Sequence, residues 1–236
     1  MKRPNGNLQY KQAQRELFDE LENKFKNGEN PSTIVEPVKD YENDNRICLT
    51  SVAFIPPHLQ EIILSTVVAP LKSADSQQYY YIQNSFHLTI QNIRTINLPL
   101  LFNDSDIEKA IKVFDQIVPK HKHLFFDIEG LFELPTSLSL RAYTDETLKN
   151  LVFELRQGLQ EAGVPDNKTY ASNEIVFGNT SVCRYTATPN DLFFNEVKRL
   201  KNIKIGRLEV STVSLITTNS VCHPSKTKVI KEFNLA

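Results

Sequence analysis

The sequence predicts an α+β protein of two similar lobes, each an antiparallel sheet with flanking helices, placed around a central cleft. Two observations lead to this prediction. Strand–helix–strand units occur twice along the chain, and hairpins join several of the strand-like runs. A short polar pattern on one strand is also repeated, in degenerate form, in the second half of the chain. The repeat indicates an internal duplication whose two copies face a shared cleft.

The composition is that of a globular protein with a balanced charge. The 236 residues are enough for one large or two small lobes, and 40% hydrophobic with 23% charged residues is typical of this class. The net charge of −1 gives no bulk basicity of the kind that indicates nucleic-acid binding. Three cysteines without CxxC spacing indicate free thiols, so we expect a cytoplasmic protein. We also expect a monomer. No run approaches the ~20 apolar residues that span a bilayer, so we expect no membrane partner.

The first 45 residues are expected to form a helical extension and a polar linker. A helix from Leu8 to Phe25 would place four apolar residues on one face. These residues are Leu17, Phe18, Leu21 and Phe25. We expect this face to pack on its own chain, and the docking of a partner is the alternative. Residues 27–45 carry turn signals, and the two-lobed domain is expected over residues 46–236.

The rest of the chain alternates strand and helix signals. Capping residues mark helix starts, with Pro57 after the first strand and Asn103 and Asp145 before two apolar periodic segments. The predicted helices are 57–71, 103–118, 144–162 and 190–200. The predicted strands are 47–55, 77–82, 86–91, 124–132, 138–143, the strand that carries Asn179, 205–216 and 228–233. Neither GxGxxG nor GxxxxGK[ST] occurs, which excludes the common glycine-rich phosphate loops.

The segment 85–91 contains the pattern His-Leu-Thr-Ile at its centre. Side chains alternate between the faces of a β-strand, so His87 and Thr89 share one face while Leu88 and Ile90 pack into a core. One face then offers a titratable imidazole beside a hydroxyl, which suits acid–base chemistry and the holding of a phosphate. Taken alone, the pattern also fits an ordinary surface histidine.

A degenerate copy of this pattern reads Asn-Thr-Ser-Val and begins at Asn179, with Asn in place of His and Ser in place of Thr. An alternative register begins at Arg184 and places arginine in the histidine position. We favour the Asn179 register, because Val176 and Val182 share the strand parity of Arg184 and indicate that this face is core.

The two motifs and the order of the elements resemble the 2H phosphoesterase superfamily, which includes the LigT-type 2′-5′ RNA ligases and cyclic phosphodiesterases. The resemblance covers residues 46–235. In that family the second motif is often His-x-Thr-x-x-Arg, and residues 179–184 follow it with Asn for His and Ser for Thr. The resemblance implies a hydrolase that opens a 2′,3′-cyclic phosphate or 2′-5′ linkage, with no metal and no cofactor. Its partners would be RNA ends or small cyclic or 2′-5′-linked nucleotides.

The resemblance also assigns roles to particular residues. His87 is carried over as the general acid or base, and Thr89 and Ser181 as phosphate-binding hydroxyls. Asn179 occupies the slot of the second histidine, where an amide can donate a hydrogen bond but cannot exchange a proton near pH 7. Arg184 matches the trailing arginine and would contact phosphate. Three outcomes stay open: slow turnover by His87 alone, a substitute group, or a binding module without turnover.

Two tyrosines and one basic cluster are further candidates for RNA contact. Tyr81, upstream of the first motif, and Tyr185, beside Arg184, are candidate platforms for base stacking, with ordinary packing as the alternative. The densest basic cluster is either an RNA track or a solvated helix end. It consists of Lys198, Arg199, Lys201, Lys204 and Arg207.

One pair of histidines has the spacing of metal ligands. His121 and His123 form a His-x-His pair with a lysine between them. Because no third ligand is evident in the sequence, we predict no metal site there.

Overall fold

The computed structural model describes residues 6–236 and contains two antiparallel sheets with flanking helices. The helices are α1 (Gly6–Lys26), α2 (Pro57–Ile63), α3 (Ala69–Ala74), α4 (Asp104–Ile117), α5 (Glu146–Glu161) and α6 (Asp191–Leu200). The strands are β1 (Ile47–Phe54), β2 (Tyr79–Tyr80), β3 (His87–Asn97), β4 (Leu124–Leu134), β5 (Ser137–Tyr143), β6 (Gly178–Arg184), β7 (Lys204–Val210), β8 (Thr212–Thr218) and β9 (Lys228–Asn234). A π-helical turn, Leu64–Val68, joins α2 to α3. The predicted α+β class with two antiparallel sheets is confirmed.

The two sheets are built in the same way. The first has the strand order β3-β1-β8-β9, and the second has the order β2-β6-β5-β4-β7. In the first sheet the edge strand β3 pairs with β1, which runs directly into α2. In the second sheet β6, which is next to the edge, pairs with β5, which runs directly into α5. The two polar motifs lie on these two equivalent strands, as the duplication in the sequence predicts.

The helix starts follow the capping signals. The Asn103 side chain accepts a hydrogen bond from the Asp106 backbone N–H at 3.1 Å, and the Asp106 carboxylate accepts the Asn103 N–H in return. Asp145 caps α5 by accepting the N–H of Thr147 at 2.9 Å. Each cap satisfies backbone donors that a helix start otherwise leaves unpaired.

One hydrophobic core continues through both lobes. It includes Leu88, Phe114 and Leu151 on the side of the first sheet, and Leu140 and Phe193 on the side of the second. A shared core of this kind holds the two sheets together without a linker between independent domains.

The N-terminal helix packs on its own chain, as expected from its apolar face. Phe18 is 0% exposed, and its ring lies 4.4 Å from that of Phe177, 4.9 Å from Phe132 and 5.6 Å from Tyr143, between ring centroids. Phe132 and Tyr143 belong to β4 and β5. The helix therefore covers part of one face of the second sheet.

Buried polar contacts fix the position of this helix. The guanidinium of Arg141, on β5, forms ion pairs with Asp19 at 2.8 Å and Glu22 at 3.1 Å. Glu22 also pairs with Lys201 at 2.7 Å. Such partly buried pairs help to select one orientation of α1 on the sheet.

The linker that follows α1 has no helix or strand in residues 27–46, as predicted, yet it lies against the body of the protein. Tyr41 is 1% exposed, and its backbone oxygen accepts a hydrogen bond from Asn219 at 2.9 Å. The Thr33 N–H donates to the carbonyl of Thr169 at 3.1 Å. The N-terminal segment is therefore in contact with the loop before β6.

Two predicted strands differ from the structure. Residues 77–82 are predicted as one strand, but only Tyr79–Tyr80 is a strand, and it pairs with β6 in the second sheet. The predicted strand 205–216 is two strands, β7 and β8, which bend apart at Ser211 and enter different sheets. The apolar alternation changes phase between Val210 and Val213, which fits a bend, but this change does not indicate which sheet each half joins.

No helix within residues 6–236 has the length and apolar character needed to cross a membrane.

Replacing Phe18 by alanine should destabilise the fold strongly. The change removes a fully buried ring from an aromatic cluster, and such a loss typically costs about 3–5 kcal/mol. Leu8 lies on the same helix and is 65% exposed, so Leu8→Ala should change the free energy of unfolding by less than about 0.5 kcal/mol. Urea unfolding of both variants measures the difference. Equal values would contradict the placement of α1 on the second sheet.

Candidate functional site

The first motif opens β3 with the alternation that the sequence predicts. Leu88 is fully buried and Ile90 nearly so, whereas Thr89 is exposed and His87 is half-buried. His87 pairs with Phe54 across the sheet. The rigid strand thus presents the imidazole and the hydroxyl on one side and packs the intervening side chains into the core.

The His87 ring is held at one nitrogen and lies beside a thiol. Nδ1 is 2.8 Å from the carbonyl oxygen of Ser85, which can only accept, so Nδ1 donates and Nε2 is left for other contacts. Burial lowers the pKa of His87, but the neighbouring Cys222 and the Ser85 carbonyl outweigh it and raise this pKa. Burial raises the pKa of Cys222, and the imidazole outweighs that effect and lowers it. The pair therefore favours a protonated imidazole.

The second motif lies on β6 and faces the same side as a serine of β5. Asn179 and Ser181 pair across the sheet with Arg141 and Ser139. The Ser139 hydroxyl lies 3.1 Å from that of Ser181 and accepts a hydrogen bond from the Asn179 amide at 3.3 Å. The two polar side chains of β6 are thereby fixed in position relative to each other.

A β-bulge follows the polar pair in each motif strand. In β3 the register skips Ile90, directly after Thr89, and in β6 it skips Val182, directly after Ser181. The matching position of the two bulges supports the register that equates Asn179 with His87. A bulge inserts one residue and reverses the alternation beyond it.

The bulge in β6 also corrects the parity argument made from the sequence. Without a bulge, Arg184 would share the buried face of Val182. In the structure Arg184 pairs with Ser137 and lines the cleft instead. Its guanidinium is within 3.4 Å of the Tyr81 hydroxyl and 3.3 Å of the Ser220 carbonyl.

The motif residues meet at a cavity of about 220 Å³ between the two sheets. Thr89 from the first sheet and Asn179, Ser181 and Arg184 from the second all line it, whereas His87 lies at its side and does not line it. His87 is nevertheless close enough to Arg184 for the guanidinium to act on the pKa of the imidazole. The structure thus places four of the predicted residues around one space and the fifth next to it.

Among the residues that the structure describes, three cations and no carboxylate line this cavity. The cations are Arg156, Lys168 and Arg184. For a chain with a net charge of −1, this is a local concentration of positive charge. Fixed positive charge in a partly enclosed cavity favours an anionic ligand.

The sequence analysis missed Arg156, Lys168 and Tyr170. Arg156 is on α5, and the other two are on the segment 162–177 between α5 and β6. The unusual length of this connection is the signal that could have found them, because long loops without regular structure inside a compact domain are often functional.

Asp166 fixes this connection on β3. Its carboxylate accepts hydrogen bonds from Gln91 at 2.5 Å, from Asn92 at 3.0 Å and from the Tyr170 hydroxyl, and also from the Lys168 backbone N–H at 2.7 Å. The carboxylate oxygens are therefore fully used by uncharged donors.

Arg156 stacks on the ring of Tyr170, with its guanidinium carbon 3.6 Å from the ring centroid. The same guanidinium donates to the side-chain oxygen of Gln91 at 3.1 Å. A cation held over an aromatic ring is stabilised by the electrons of the ring face. Arg156 is therefore held at the cavity without a carboxylate partner among its described contacts.

Lys168 has an unusual environment for a lysine. Burial lowers its pKa, Asp166 opposes this shift, and the guanidinium groups of Arg156 and Arg184 lower the pKa further. Within residues 8–236, its ammonium forms no ion pair with a carboxylate.

The two tyrosines predicted as stacking platforms are not available in the cavity. Tyr81 is 2% exposed, with its ring packed near Phe86 and Tyr79. Tyr185 packs edge-on against Phe193 and does not line the cavity. Burial of the Tyr81 ring removes a large apolar area from water, whereas Tyr185 is half-buried and lines a neighbouring cavity. Tyr170 is the tyrosine that lines the space.

The predicted basic cluster lies on α6 and β7, outside the cavity, and is partly neutralised. Arg199 pairs with Glu196 at 2.7 Å, Lys201 pairs with Glu22, and Arg207 lies over the ring of Phe125. These contacts favour the interpretation as a solvated helix end.

The two histidines of the His-x-His pair contact different carboxylates. His121 is 3.1 Å from Glu154, and His123 is 2.7 Å from Glu209. In the part of the chain that the structure describes, no three metal-ligating side chains form a cluster.

Comparison with known proteins identifies the fold. No protein-family model and no curated protein matches the chain, but solved structures do. One described as a phosphoesterase aligns with a TM-score of 0.56 at 12% identity, covering 81% of this chain and 99% of that one. TT0787 of Thermus thermophilus aligns with 0.56 at 12% identity, covering 79% and 97%. LigT of E. coli in apo form aligns with 0.55 at 10% identity, covering 82% and 99%.

The chain therefore has a 2H phosphoesterase-like fold, which confirms the fold that the resemblance of its motifs implies. At these identities the likeness establishes the fold and leaves activity and substrate to the residues of the site.

Replacing Cys222 by alanine should lower the pKa of His87, because the substitution removes the neighbour that raises it. The pKa can be measured by following the imidazole resonances of His87 by NMR across the pH range. Cys183 is also buried but lies in the second sheet, so Cys183→Ala should leave this pKa unchanged. An equal shift in both variants, or none in either, would contradict the pairing of Cys222 with His87.

Proposed function

We propose that this protein is a phosphoesterase that opens the 2′,3′-cyclic phosphate or 2′-5′ linkage of an RNA end or a small nucleotide. The observation that carries the proposal is the lining of the cavity, where the described residues supply three cations and no carboxylate beside the hydroxyl and amide groups of both motif strands. Hydroxyls, amides and guanidinium groups are the donors that bind phosphate oxygens. Free, buried cysteines support the cytoplasm as its location.

The solved relatives of this fold support a phosphate-containing ligand. Structures of E. coli LigT have been determined in complex with 3′-AMP, ATP, phosphate and NADP+. For the present chain we take from this only the class of ligand, a nucleotide or phosphate ester.

The reaction requires two proton transfers. When water attacks the phosphorus of a cyclic phosphate, a proton leaves the water and another reaches the departing ribose oxygen. The raised pKa of His87 favours the protonated imidazole, and in the proposed reaction Nε2–H serves as the acid for the departing oxygen. His87 lies at the side of the cavity, and the substrate would have to present its departing oxygen there.

The other groups stabilise charge on the phosphate. The hydroxyl groups of Thr89 and Ser181 donate hydrogen bonds to the non-bridging oxygens, and the Asn179 amide donates a further hydrogen bond. Arg184 supplies positive charge from the end of β6. Asn179 cannot accept a proton from water, and the loss of one general acid or base typically costs a factor of ~10²–10⁴ in rate.

A binding module is the second candidate function. It is favoured by Asn179, which keeps the hydrogen-bonding capacity of the slot but removes its proton transfer. Such a module would bind RNA ends or cyclic nucleotides through the same cations and release them unchanged, and its affinity would fall as salt increases.

Replacing His87 by glutamine should lower the turnover of 2′,3′-cyclic nucleotides about 10²–10⁴-fold, because glutamine keeps a polar side chain but cannot supply a proton. His58 is exposed on the surface, so His58→Gln serves as the matched control and should keep the wild-type rate. Product formation can be followed by chromatography. Binding without product in the wild-type protein would favour the module, and equal turnover of His87→Gln and wild type would refute the role of His87.

Replacing Asn179 by histidine should increase turnover, because it restores a group that exchanges protons near neutral pH in the slot opposite the first motif. The comparison is between kcat of wild type and of the variant, with Asn202→His as a control at an exposed asparagine outside the cavity. A decrease in the Asn179 variant, or the same change in both, would argue for the alternative register at Arg184.

A further inference from the structure

We propose that Lys168 is the second proton-transfer group of the cleft, and that its neutral amine takes the proton from the attacking water. The inference rests on the proposed hydrolysis and assigns the role that Asn179 cannot perform. It concerns a residue from the connection between α5 and β6, outside both motifs.

The position of Lys168 is the first argument. It lines the same cavity as Thr89, Asn179 and Ser181. The connection that carries it is fixed on both sides: Asp166 accepts the Lys168 backbone N–H, and the backbone of Thr169 forms hydrogen bonds with Thr33. The side chain is therefore attached to an anchored part of the cleft wall.

The charges around Lys168 are the second argument. Arg156 of α5 and Arg184 of β6 act on it as cations, and the ring of Tyr170 lies 5.5 Å from its ammonium. Asp166 has the larger effect of the two groups that raise the pKa of Lys168, and Cys48 of β1 is the other. The Asp166 carboxylate already accepts hydrogen bonds from neutral donors.

A third positive charge beside two guanidinium groups in a half-buried site is unfavourable, and the single negative charge of a cyclic phosphate offsets only one of the three. The free protein can relieve this repulsion by releasing the proton of Lys168, and the lowered pKa of the amine agrees with that direction. The raised pKa of His87 goes the other way. These opposite shifts favour the state in which the imidazole is protonated and the amine is neutral, and that state can divide the acid and base roles.

In the proposed hydrolysis one bond to phosphorus forms, one breaks, and two protons are transferred. The Lys168 amine accepts one proton of water, and the water oxygen forms a bond to phosphorus. The bond between phosphorus and one ribose oxygen breaks, and its electron pair stays on that oxygen, which takes the proton from His87 Nε2. The product is a phosphate monoester. Lys168 then returns its proton to solvent and His87 takes one up, which restores the starting state.

A fixed positive charge that only holds phosphate is the competing role for Lys168. Arginine distinguishes the two roles, because it keeps the charge but does not lose its proton in proteins. We therefore compare Lys168→Arg with wild type on a 2′,3′-cyclic nucleotide, and use Lys198→Arg as the control on an exposed lysine outside the cavity.

The proposal predicts a bell-shaped dependence of kcat of the wild-type protein on pH, because the amine of Lys168 must be neutral while the imidazole of His87 is protonated. Lys168→Arg should lose about 10²–10⁴-fold in kcat with KM nearly unchanged, and the rising limb of this dependence on pH should disappear. Lys168→Ala should recover turnover when methylamine is added, in proportion to the concentration of its free base.

Two results would overturn the proposal. If Lys168→Arg keeps kcat within a few-fold of wild type, Lys168 acts as a charge only. The proposed function is then unaffected, because its test is the loss of turnover in His87→Gln. If the wild-type protein shows no turnover that depends on His87, the proposed function fails and this inference fails with it. Thermal unfolding and binding of the product by Lys168→Arg establish that the variant is folded with its cavity intact.

Discussion

The site depends on the bulge that follows the polar pair in each of the two motif strands. The extra residue is Ile90 in β3 and Val182 in β6, and each reverses the alternation beyond it. Residues on both sides of the bulge can therefore reach the same face. Arg184 enters the cleft for this reason, although simple alternation would bury it. The bulge in β6 thus adds a cationic side chain, that of Arg184, to a motif of two polar side chains.

The second sheet serves two purposes. One part carries Asn179 and Ser181 beside the cavity, and another part binds the N-terminal helix through Phe18 and its aromatic neighbours. The linker after the helix then joins the connection before β6, where Thr33 meets Thr169. The N-terminal segment is therefore part of the wall of the cavity, and it contributes to the low exposure that shifts the pKa values inside.

The balance of charge around the cavity follows from how Asp166 is used. Its carboxylate accepts hydrogen bonds from Gln91, Asn92 and Tyr170, and these contacts fix the connection to β3. A carboxylate used in this way does not form an ion pair with Lys168. The three cations of the lining are then left for a ligand, and mutual repulsion favours either a bound phosphate or a neutral amine.

The sequence by itself determined the α+β class, most helix and strand positions, and the pairing of two motifs across a cleft, because periodicity and capping are local properties. Only the tertiary structure decided that residues 205–216 divide between two sheets, that Arg184 faces the cleft, and that Tyr81 is buried. It also brought Lys168 and Arg156 to the motifs. These outcomes depend on strand pairing and on contacts between distant residues, which the local alternation of apolar residues does not specify.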